Sequence, residues 1–298
     1  MEPIIVSHSE LDTFRQCPLK HQLAYKERWT KPLETGDRRH LGTVFHQVME
    51  THYNLLKTGQ VTTQEIPDLV RTQLRALEHS DTDIDTINLV EWMYDGYLDQ
   101  WGFDPAWKIL EVEYRFQVPL RRPDGNRTKY HIKGFVDLVV EDLDTGGVWI
   151  IDHKSGRNLP SMMDLELDDQ FGIYVWAMRE LGYEVMGAIH NAARTQRNTA
   201  DHPGYQGKLK PQTLEQRFSR TYLNRSEQEL DQLALDAYNA AYNAHPPKSR
   251  QMPLYSSPDP RQCGWKCDFK EAHIAMRKGI APATAMADFG FEQNYTRH

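Results

Sequence analysis

The chain has 298 residues, of which 39% are hydrophobic and 26% charged, and its formal net charge is −7. This length allows one large core that buries about three quarters of the unfolded surface. No run approaches the roughly 18 apolar residues of a membrane span, and the first ten residues lack the basic and apolar parts of a signal peptide. We therefore expect an intracellular protein without a membrane partner, whose three cysteines do not build a disulfide framework.

The first third of the chain is predicted to be helical. Ser7 and Glu10 have the spacing of a capping box, which indicates a helix start. A second helix is expected from His40 to Lys57, because its apolar residues recur at helical spacing, and His46 lies beside that apolar stripe. A lone histidine in this position is more often a packing residue than a ligand. Two covering helices are expected at about residues 64–78 and 85–100.

After residue 109 the hydrophobic pattern changes to a period of two, which is typical of strands. Residues 110–118 alternate apolar and polar side chains, and a second strand is expected from Tyr130 to Val140. A third strand follows the Gly146-Gly147 turn. A helix at about 165–181 and an apolar strand at 185–191 come next. The order of helix, three-strand antiparallel meander, helix and strand predicts an α/β core.

Two acids interrupt the apolar runs of the predicted hairpin, Asp137 in FVDLVV and Asp152 in VWIIDHK. A buried carboxylate must be paired, hydrogen-bonded or bound to a cation. Lys154 shares a face with Asp152, because side chains alternate along a strand. If Asp137 lies on the same face, two carboxylates and an ammonium converge. Such a site suits a divalent cation and an anionic substrate.

The C-terminal region holds a second group of candidate ligands. A helix is expected from Ser226 to about Ala244, and Cys263, Cys267 and His273 follow it. With so few cysteines, metal ligation and plain burial both remain open.

Two stretches are basic although the whole chain is acidic. Residues 190–225 carry seven basic and two acidic residues, and residues 121–133 carry five basic and one acidic residue. Such segments are typical of a surface that binds a polyanion, and also of solvated loops. The basic residues of the longer segment are Arg194, Arg197, Lys208, Lys210, Arg217, Arg220 and Arg225.

Four short motifs together resemble the PD-(D/E)XK nuclease superfamily in its RecB-type branch, which includes the nuclease domains of recombination helicases and the CRISPR-adaptation exonucleases. Each motif alone is weak, but their order and their expected elements match the family. The similarity extends over about residues 7–275. The motifs are Gly42-Thr-Val-Phe-His46, Gly134-Phe-Val-Asp137, Asp152-His-Lys154 and Gln170-Phe-Gly-Ile-Tyr174.

The resemblance implies a restriction-endonuclease-like core with added N- and C-terminal helices. It would form a single nuclease domain of three parts: a helical part with the histidine motif at 1–105, the catalytic core at 106–195, and a basic and cluster-bearing part at 196–298.

The resemblance also implies the roles of the site residues. Either Mg²⁺ or Mn²⁺ would be held by mainly oxygen ligands, and an imidazole favours Mn²⁺ slightly. The implied metal ligands are His46, Asp137, Asp152 and the main-chain carbonyl of His153. Lys154 would orient or activate the attacking water, while Gln170 and Tyr174 would contact DNA or the other site residues.

A structural 4Fe-4S cluster held by Cys17, Cys263, Cys267 and His273 is a further implication of the resemblance. The chain departs from the family pattern, because three residues rather than two separate the cysteine pair and a histidine replaces the last cysteine. Zinc, or a vacant site with buried thiols, therefore remains an alternative. A bound cluster would close a loop of about 250 residues, where the entropic cost of closure is large.

The implied activity is that of a metal-dependent DNA exonuclease acting on single-stranded or duplex ends, in recombination, repair or DNA processing. The chain has no P-loop pattern, so a helicase or recombination partner would be a separate protein. Alternatives are an endonuclease of the same superfamily, a nuclease acting on RNA, and a DNA-binding recombination scaffold without activity. The scaffold would be expected to have an incomplete ligand set.

Overall fold

The computed structural model describes residues 2–32, 38–79, 82–198, 212–250 and 253–295. Within these ranges, no helix combines the length and the apolar character needed to cross a membrane. The described α-helices are His8–Gln16 (α1), Pro18–His21 (α2), Arg38–Thr58 (α3), Ile66–Ala76 (α4), Ile84–Trp101 (α5), Met162–Glu166 (α6), Asp169–Glu180 (α7), Leu214–Arg217 (α8), Glu227–Ala244 (α9), Pro260–Lys266 (α10), Lys270–Arg277 (α11) and Pro282–Asp288 (α12).

The described strands are Ile4–Ser7 (β1), Trp29–Thr30 (β2), Trp107–Arg121 (β3), Arg127–Asp142 (β4), Val148–Gly156 (β5), Val185–Arg194 (β6), Phe218–Leu223 (β7) and Glu292–Gln293 (β8). They form a mixed sheet in the order β1-β4-β5-β6-β7, with β3 also paired to β4, and a separate pair of β2 and β8. Short 3-10 helices lie at Leu77–His79 and Lys248–Arg250, and a π-helix at Gln22–Lys26. The predicted α/β class is confirmed.

The chain forms two compact units, each assembled from separate stretches. Unit 1 comprises Met1–Leu33, Pro119–Lys133 and Ala234–His298, and unit 2 comprises Glu34–Val118 and Gly134–Leu233. The predicted division of one nuclease domain into three successive parts is a different partition and stays a prediction.

Unit 1 contains a small apolar core and the parallel pairing of β1 with the first part of β4. Ile4 pairs with Tyr130 in that register. Ser7 caps α1 as predicted, because its hydroxyl accepts a hydrogen bond from the Glu10 N–H at 3.2 Å. The core of this unit is built from Leu23, Phe269, Ala272, Ala285, Met286 and Phe291.

Unit 2 contains the predicted meander and crossover. The second part of β4 is antiparallel to β5, β5 is parallel to β6, and β6 is antiparallel to β7. Helices α3, α4 and α5 pack their apolar faces on this sheet, with Phe45, Val70 and Tyr94 in the same buried cluster as Leu138 and Ile151. This packing brings one face of α3 to the β4–β5 hairpin.

Several elements differ from the sequence predictions, and three of them belong to the sheet or pack beside it. Strands β1 and β7 were not predicted, because β1 is only four residues long and β7 lies in the segment interpreted through its charge. The helix predicted at 165–181 is two helices, α6 and α7. The break occurs at Asp168, whose backbone is extended. Its carboxylate caps the start of α7 by accepting a hydrogen bond from the Gln170 N–H at 2.9 Å.

Candidate active site

The β4–β5 hairpin places the two predicted acids across from each other. Its antiparallel register pairs Leu138 with Ile151. Asp137, just before Leu138, and Asp152, just after Ile151, therefore lie opposite each other on one face. The hairpin turns at Gly146, whose φ of 70° lies in the left-handed region that favours glycine. Asp137 is 9% exposed and the Asp152 side chain 13%. The hairpin therefore holds a buried and a largely buried carboxylate side by side.

Helix α3 adds His46 to this pair of acids. Val44, Phe45 and Val48 of α3 are buried, and His46 lies with its Nδ1 atom 3.3 Å from Oδ2 of Asp137. Burial lowers the pKa of His46, but its hydrogen bond to Asp137 and the charge of that acid raise it above the ordinary value overall. For Asp137 burial raises the pKa, and the contact with His46 lowers it overall. The two side chains stabilise each other's charged forms.

His153 contributes its backbone to the same place. Its N–H donates to Oδ2 of Asp137 at 2.6 Å, which fixes the carboxylate against β5. Its ring is buried and stacks on Tyr53 with 5.5 Å between ring centroids, and burial lowers its pKa to about 3. The imidazole is therefore neutral and interior, and only the main chain of His153 lies at the site. The metal-binding role of its carbonyl stays a prediction.

Lys154 and Asp152 form the same-face pair that the strand period predicts. The Lys154 Nζ atom lies 2.9 Å from Oδ1 and 2.8 Å from Oδ2 of Asp152. Burial raises the pKa of Asp152 to about 6, and the charge of Asp137 raises it as well, although Lys154 opposes both effects. Lysine therefore offsets only part of the cost of burying this acid.

Gln170 and Tyr174 of α7 also reach this group. The Gln170 side-chain amide donates to Oδ1 of Asp152 at 3.5 Å, and Tyr174 is hydrogen-bonded to Gln170. The Tyr174 ring packs edge-on against Phe116 with 5.0 Å between centroids. Both residues therefore touch the acid network, as the helical spacing of one turn allows.

Glu113 of β3 was not among the predicted site residues. Its carboxylate, the His46 imidazole and the Asp137 carboxylate offer ligand atoms within 4.8 Å of one another. Burial and the charges of Asp137 and Glu50 raise the pKa of Glu113 to about 7. In the sequence Glu113 is an ordinary polar position of an alternating strand. The structure shows a φ of 50° there, a local irregularity of the kind that costs about 1–3 kcal/mol and often occurs at functional sites.

The donor set fits a divalent cation that prefers oxygen ligands. His46, Glu113 and Asp137 offer ligand atoms within 4.8 Å of one another, and Asp152, opposite Asp137 on β5, is not part of that group. Burial raises the pKa of Glu113 to about 7 and that of Asp152 to about 6, and the charge of Asp137 adds to both shifts. Oδ2 of Asp152 is buried and lies 2.8 Å from the Lys154 ammonium. A divalent cation would favour the charged forms of these acids.

The sequence as a whole matches a known family. The family model of the PD-(D/E)XK nuclease superfamily covers residues 5–272. The chain belongs to the PD-(D/E)XK nuclease superfamily. It is therefore a nuclease of a family that uses divalent metals and acts on DNA, which confirms this part of the prediction.

Other comparisons add little about this nuclease. No curated protein matches the chain. Twenty-three chains of solved structures match it. One of them, the crystal structure of SSO0001, is 16% identical, and the match covers 81% of this chain and 95% of that chain with a TM-score of 0.32. At that TM-score the likeness carries no argument about fold or activity.

The four predicted cluster ligands of this nuclease line one cavity of about 390 Å³ in unit 1: Cys17, Cys263, Cys267 and His273. The three cysteines are free thiols, and burial raises the pKa of Cys267. Among the described residues, the ligand groups with all atoms within 4.8 Å are His46–Glu113–Asp137 and Glu10–His21–His245, so the cysteines are not gathered that closely. The cavity brings them together without assembling a ligand set.

The described arginines of the basic segment all make contacts within the protein: the Arg220 and Arg225 side chains are 9% and 6% exposed, and the others are half-buried. Arg220 is the clearest case: its guanidinium lies 4.1 Å from the ring centroids of both Trp101 and Trp107 and donates to Asp104 at 2.5 Å. Arg194 contacts Arg157 and Asn158, and Arg197 contacts Asn88 and Trp92. Arg217 contacts Trp92, and Arg225 contacts Glu166. Lys208 and Lys210 lie outside the described residues. Binding of a polyanion by this segment stays a prediction.

Arg220 is connected to the β4–β5 hairpin through a chain of hydrogen bonds. It donates to the Tyr97 hydroxyl at 2.6 Å, and the Asn191 amide donates to the same hydroxyl at 3.0 Å. Nδ2 of Asn191 also lies 2.9 Å from Nδ1 of His153. The chain of contacts ends at the residue whose N–H holds Asp137. The charge count could not reveal this connection, because it depends on which strand the arginine occupies.

Proposed function

We propose that this nuclease is a Mg²⁺- or Mn²⁺-dependent DNA exonuclease of the RecB-like branch that hydrolyses phosphodiester bonds from single-stranded or duplex ends. The observation that carries the proposal is the convergence of His46, Asp137, Asp152 and Lys154 on one face of the β4–β5 hairpin. His46 and Asp137 lie close together with Glu113, and Asp152 lies opposite Asp137, which argues against a scaffold without activity.

The proposed roles follow from these contacts. His46, Asp137 and Asp152 would hold the cation with the His153 carbonyl, and Glu113 is placed to join them. When bound, Mg²⁺ or Mn²⁺ supplies positive charge at the attacked phosphate and favours a nucleophilic water near neutral pH.

Lys154 would hold the attacking water or stabilise the charge that grows on the phosphate. Its ammonium is a compact point charge suited to that role, and Asp152 fixes its position. Gln170 keeps Asp152 in place through its amide. Tyr174 is hydrogen-bonded to Gln170, so it can orient that amide or contact the DNA.

The deciding experiment is digestion of end-labelled linear single-stranded and duplex DNA alongside closed circular DNA, with Mg²⁺ or Mn²⁺. An exonuclease degrades the linear molecules and spares the circles. Cleavage of the circles at a similar rate would identify an endonuclease, and degradation of RNA alone would change the substrate class.

We also propose a structural 4Fe-4S cluster in unit 1. The proposal is supported by one cavity that is lined by Cys17, Cys263, Cys267 and His273. Protein purified without oxygen should then be brown and contain iron and sulfide. If the purified protein contains zinc but no iron, the site is a zinc site and not an iron-sulfur cluster. If His273 is a ligand, His273→Cys should retain the metal and His273→Ala should lose it, whereas equal retention in both variants would remove His273 from the site.

The pathway in which the nuclease works is proposed as DNA recombination, repair or processing inside the cell. A separate helicase or recombination protein would supply the DNA ends, because the chain carries no P-loop pattern of its own.

A further inference from the structure

A second cavity, of about 260 Å³, lies next to the catalytic lysine in unit 2. Lys154, Ser155 and Asn158 line it from β5 and the loop that follows, and His190 and Ala192 line it from β6. Its volume is slightly below the range of about 300–1,000 Å³ that encloses a drug-sized molecule. The cavity is therefore of a size for one small group rather than for a longer stretch of substrate.

His190 gives this cavity an unused hydrogen-bonding group. The residue is 4% exposed, and its Nδ1 atom is buried without a hydrogen-bond partner among the residues that the structure describes. Phe171 packs edge-on against the ring, with 5.5 Å between centroids, and holds it in place. Because buried polar atoms in proteins are nearly always paired, an unpaired nitrogen beside a cavity indicates a partner that enters from outside.

The charges around the cavity decide what kind of group can enter. Asp164 and Asp168 also line it; Asp164 accepts from the Ser161 N–H and hydroxyl, and Asp168 accepts from the Gln170 N–H. Lys154, the cation at the cavity, is already paired with Asp152. A phosphate would be repelled by the two carboxylates, whereas a neutral group with polar edges and an apolar face would not.

We propose that this cavity receives the base of a nucleotide next to the cleaved phosphate, on a strand whose base is unpaired at that position. This inference rests on the proposed nuclease function. Leu165 and Ala192 offer the apolar contacts for the faces of the base, and His190, Ser155 and Asn158 offer hydrogen bonds to its edges. An enzyme that must take a base out of a stack works best on single strands or frayed ends, where the unstacking cost is smallest.

The test is an abasic scan. Single-stranded oligonucleotides that lack one base, at each position in turn around a cleaved bond, are digested by the wild-type protein with Mn²⁺. One position beside the cleaved bond should lower kcat/KM by about 10-fold, the size of one lost base contact, and the other positions should have little effect.

A variant with a filled cavity makes the test specific. Ala192→Leu should lower kcat/KM on intact DNA by a similar factor and should remove the penalty at the sensitive abasic position. Ala188→Leu is the matched control, because Ala188 is equally buried in β6 but does not line the cavity. If Ala192→Leu does not fold, Asn158→Ala replaces it: the side chain of Asn158 is exposed, and this variant should also reduce the abasic penalty.

A binding measurement separates this inference from the proposed function. Asp137→Ala protein in EDTA is mixed with oligonucleotides that carry 2-aminopurine at each position, and the fluorescence should rise at the sensitive position as the base unstacks. DNA cleavage with a flat abasic profile and no such rise would overturn the inference and leave the nuclease function standing. No cleavage of any DNA with either ion would overturn the function, and the fluorescence scan would then decide the cavity by itself.

Discussion

Among the residues that the structure describes, two groups combine histidine with carboxylate at close range, and their charges are balanced differently. In unit 1, the Nε2 atoms of His21 and His245 lie 3.0 Å and 2.8 Å from Oε1 of Glu10. Burial raises the pKa of Glu10, but the hydrogen bonds from both histidines lower it to about 2 overall. In unit 2, Glu113 and Asp152 have pKa values raised to about 7 and about 6.

The difference shows that closeness of potential ligands does not make a metal site. The Glu10 group neutralises itself, and Nδ1 of His245 lies 2.5 Å from the Lys26 ammonium, whereas a metal-bound histidine normally donates its second N–H to an acceptor. We therefore interpret the Glu10 group as a hydrogen-bond network. In the unit 2 group His46 balances the charge of Asp137, but burial raises the pKa of Glu113 to about 7, so a cation bound there would favour loss of the Glu113 proton.

The largest expected effect separates the two groups by activity. Asp137→Ala, Asp152→Ala and His46→Ala should each abolish DNA cleavage with Mg²⁺ and Mn²⁺, because each removes a proposed ligand. Glu10→Ala should leave the turnover of the folded protein unchanged. Cleavage of end-labelled DNA, with circular dichroism to confirm folding, measures both. Wild-type activity of His46→Ala with both ions would reduce His46 to a packing residue.

A smaller loss is expected where a side chain acts on the reaction rather than on the metal. Lys154→Ala should bind Mn²⁺ and DNA normally but cleave about 100-fold more slowly, the scale for a lost preorganised electrostatic group. Lys108→Ala is a control, because Lys108 is an exposed lysine of β3 that pairs with Glu141. Single-turnover rates and a DNA titration provide the comparison. Weakened DNA binding with an intact rate at saturation would make Lys154 a phosphate-binding residue.

The placement of the hairpin residues could be predicted because the sequence signals are local, whereas their roles stay predictions. Asp137, Asp152 and Lys154 interrupt apolar strands of known period, and His46 lies on a strongly amphipathic helix. Glu113 could not be predicted in this way, because its position depends on a left-handed backbone residue inside β3. The position of Arg220 could not be predicted for a related reason: charge counting cannot distinguish an arginine between two tryptophan rings from one in a loop.

The Glu10 group itself shows how one residue can have a local and a distant role. The pattern Ser7-x-x-Glu10 predicted a capping box, and Ser7 caps the helix. The Glu10 carboxylate binds His21 and His245 instead. Because His245 is 235 residues away in sequence, no local pattern could reveal this contact.

Glu10 should stabilise the folded protein at neutral pH and lose this effect in acid, because two histidines favour its charged form. Its folded pKa of about 2 lies below the ordinary 4.5, so its contribution is present above about pH 4.5 and is lost as the pH falls toward 2. At pH 7, Glu10→Gln should lower the free energy of unfolding by about 3 kcal/mol, since breaking a buried pair costs about 3–5 kcal/mol. Urea unfolding at pH 7 and pH 3 measures this; an equal deficit at both values would contradict the electrostatic explanation.

The smallest expected effect has the opposite sign and comes from Asp152. Its folded pKa of about 6 lies above the ordinary 3.8, so the folded state binds more protons between these values and loses stability as the pH rises through that window. Without metal, Asp152→Asn should therefore raise the free energy of unfolding by about 1–3 kcal/mol at pH 8 and hardly at all at pH 4. With saturating Mn²⁺ the order should reverse, because the cation stabilises only a protein that can bind it. Urea unfolding in EDTA and in Mn²⁺ checks both halves. If Asp152→Asn destabilises the metal-free protein at pH 8, Lys154 neutralises Asp152 fully, and Asp152 is compensated in the same way as Glu10.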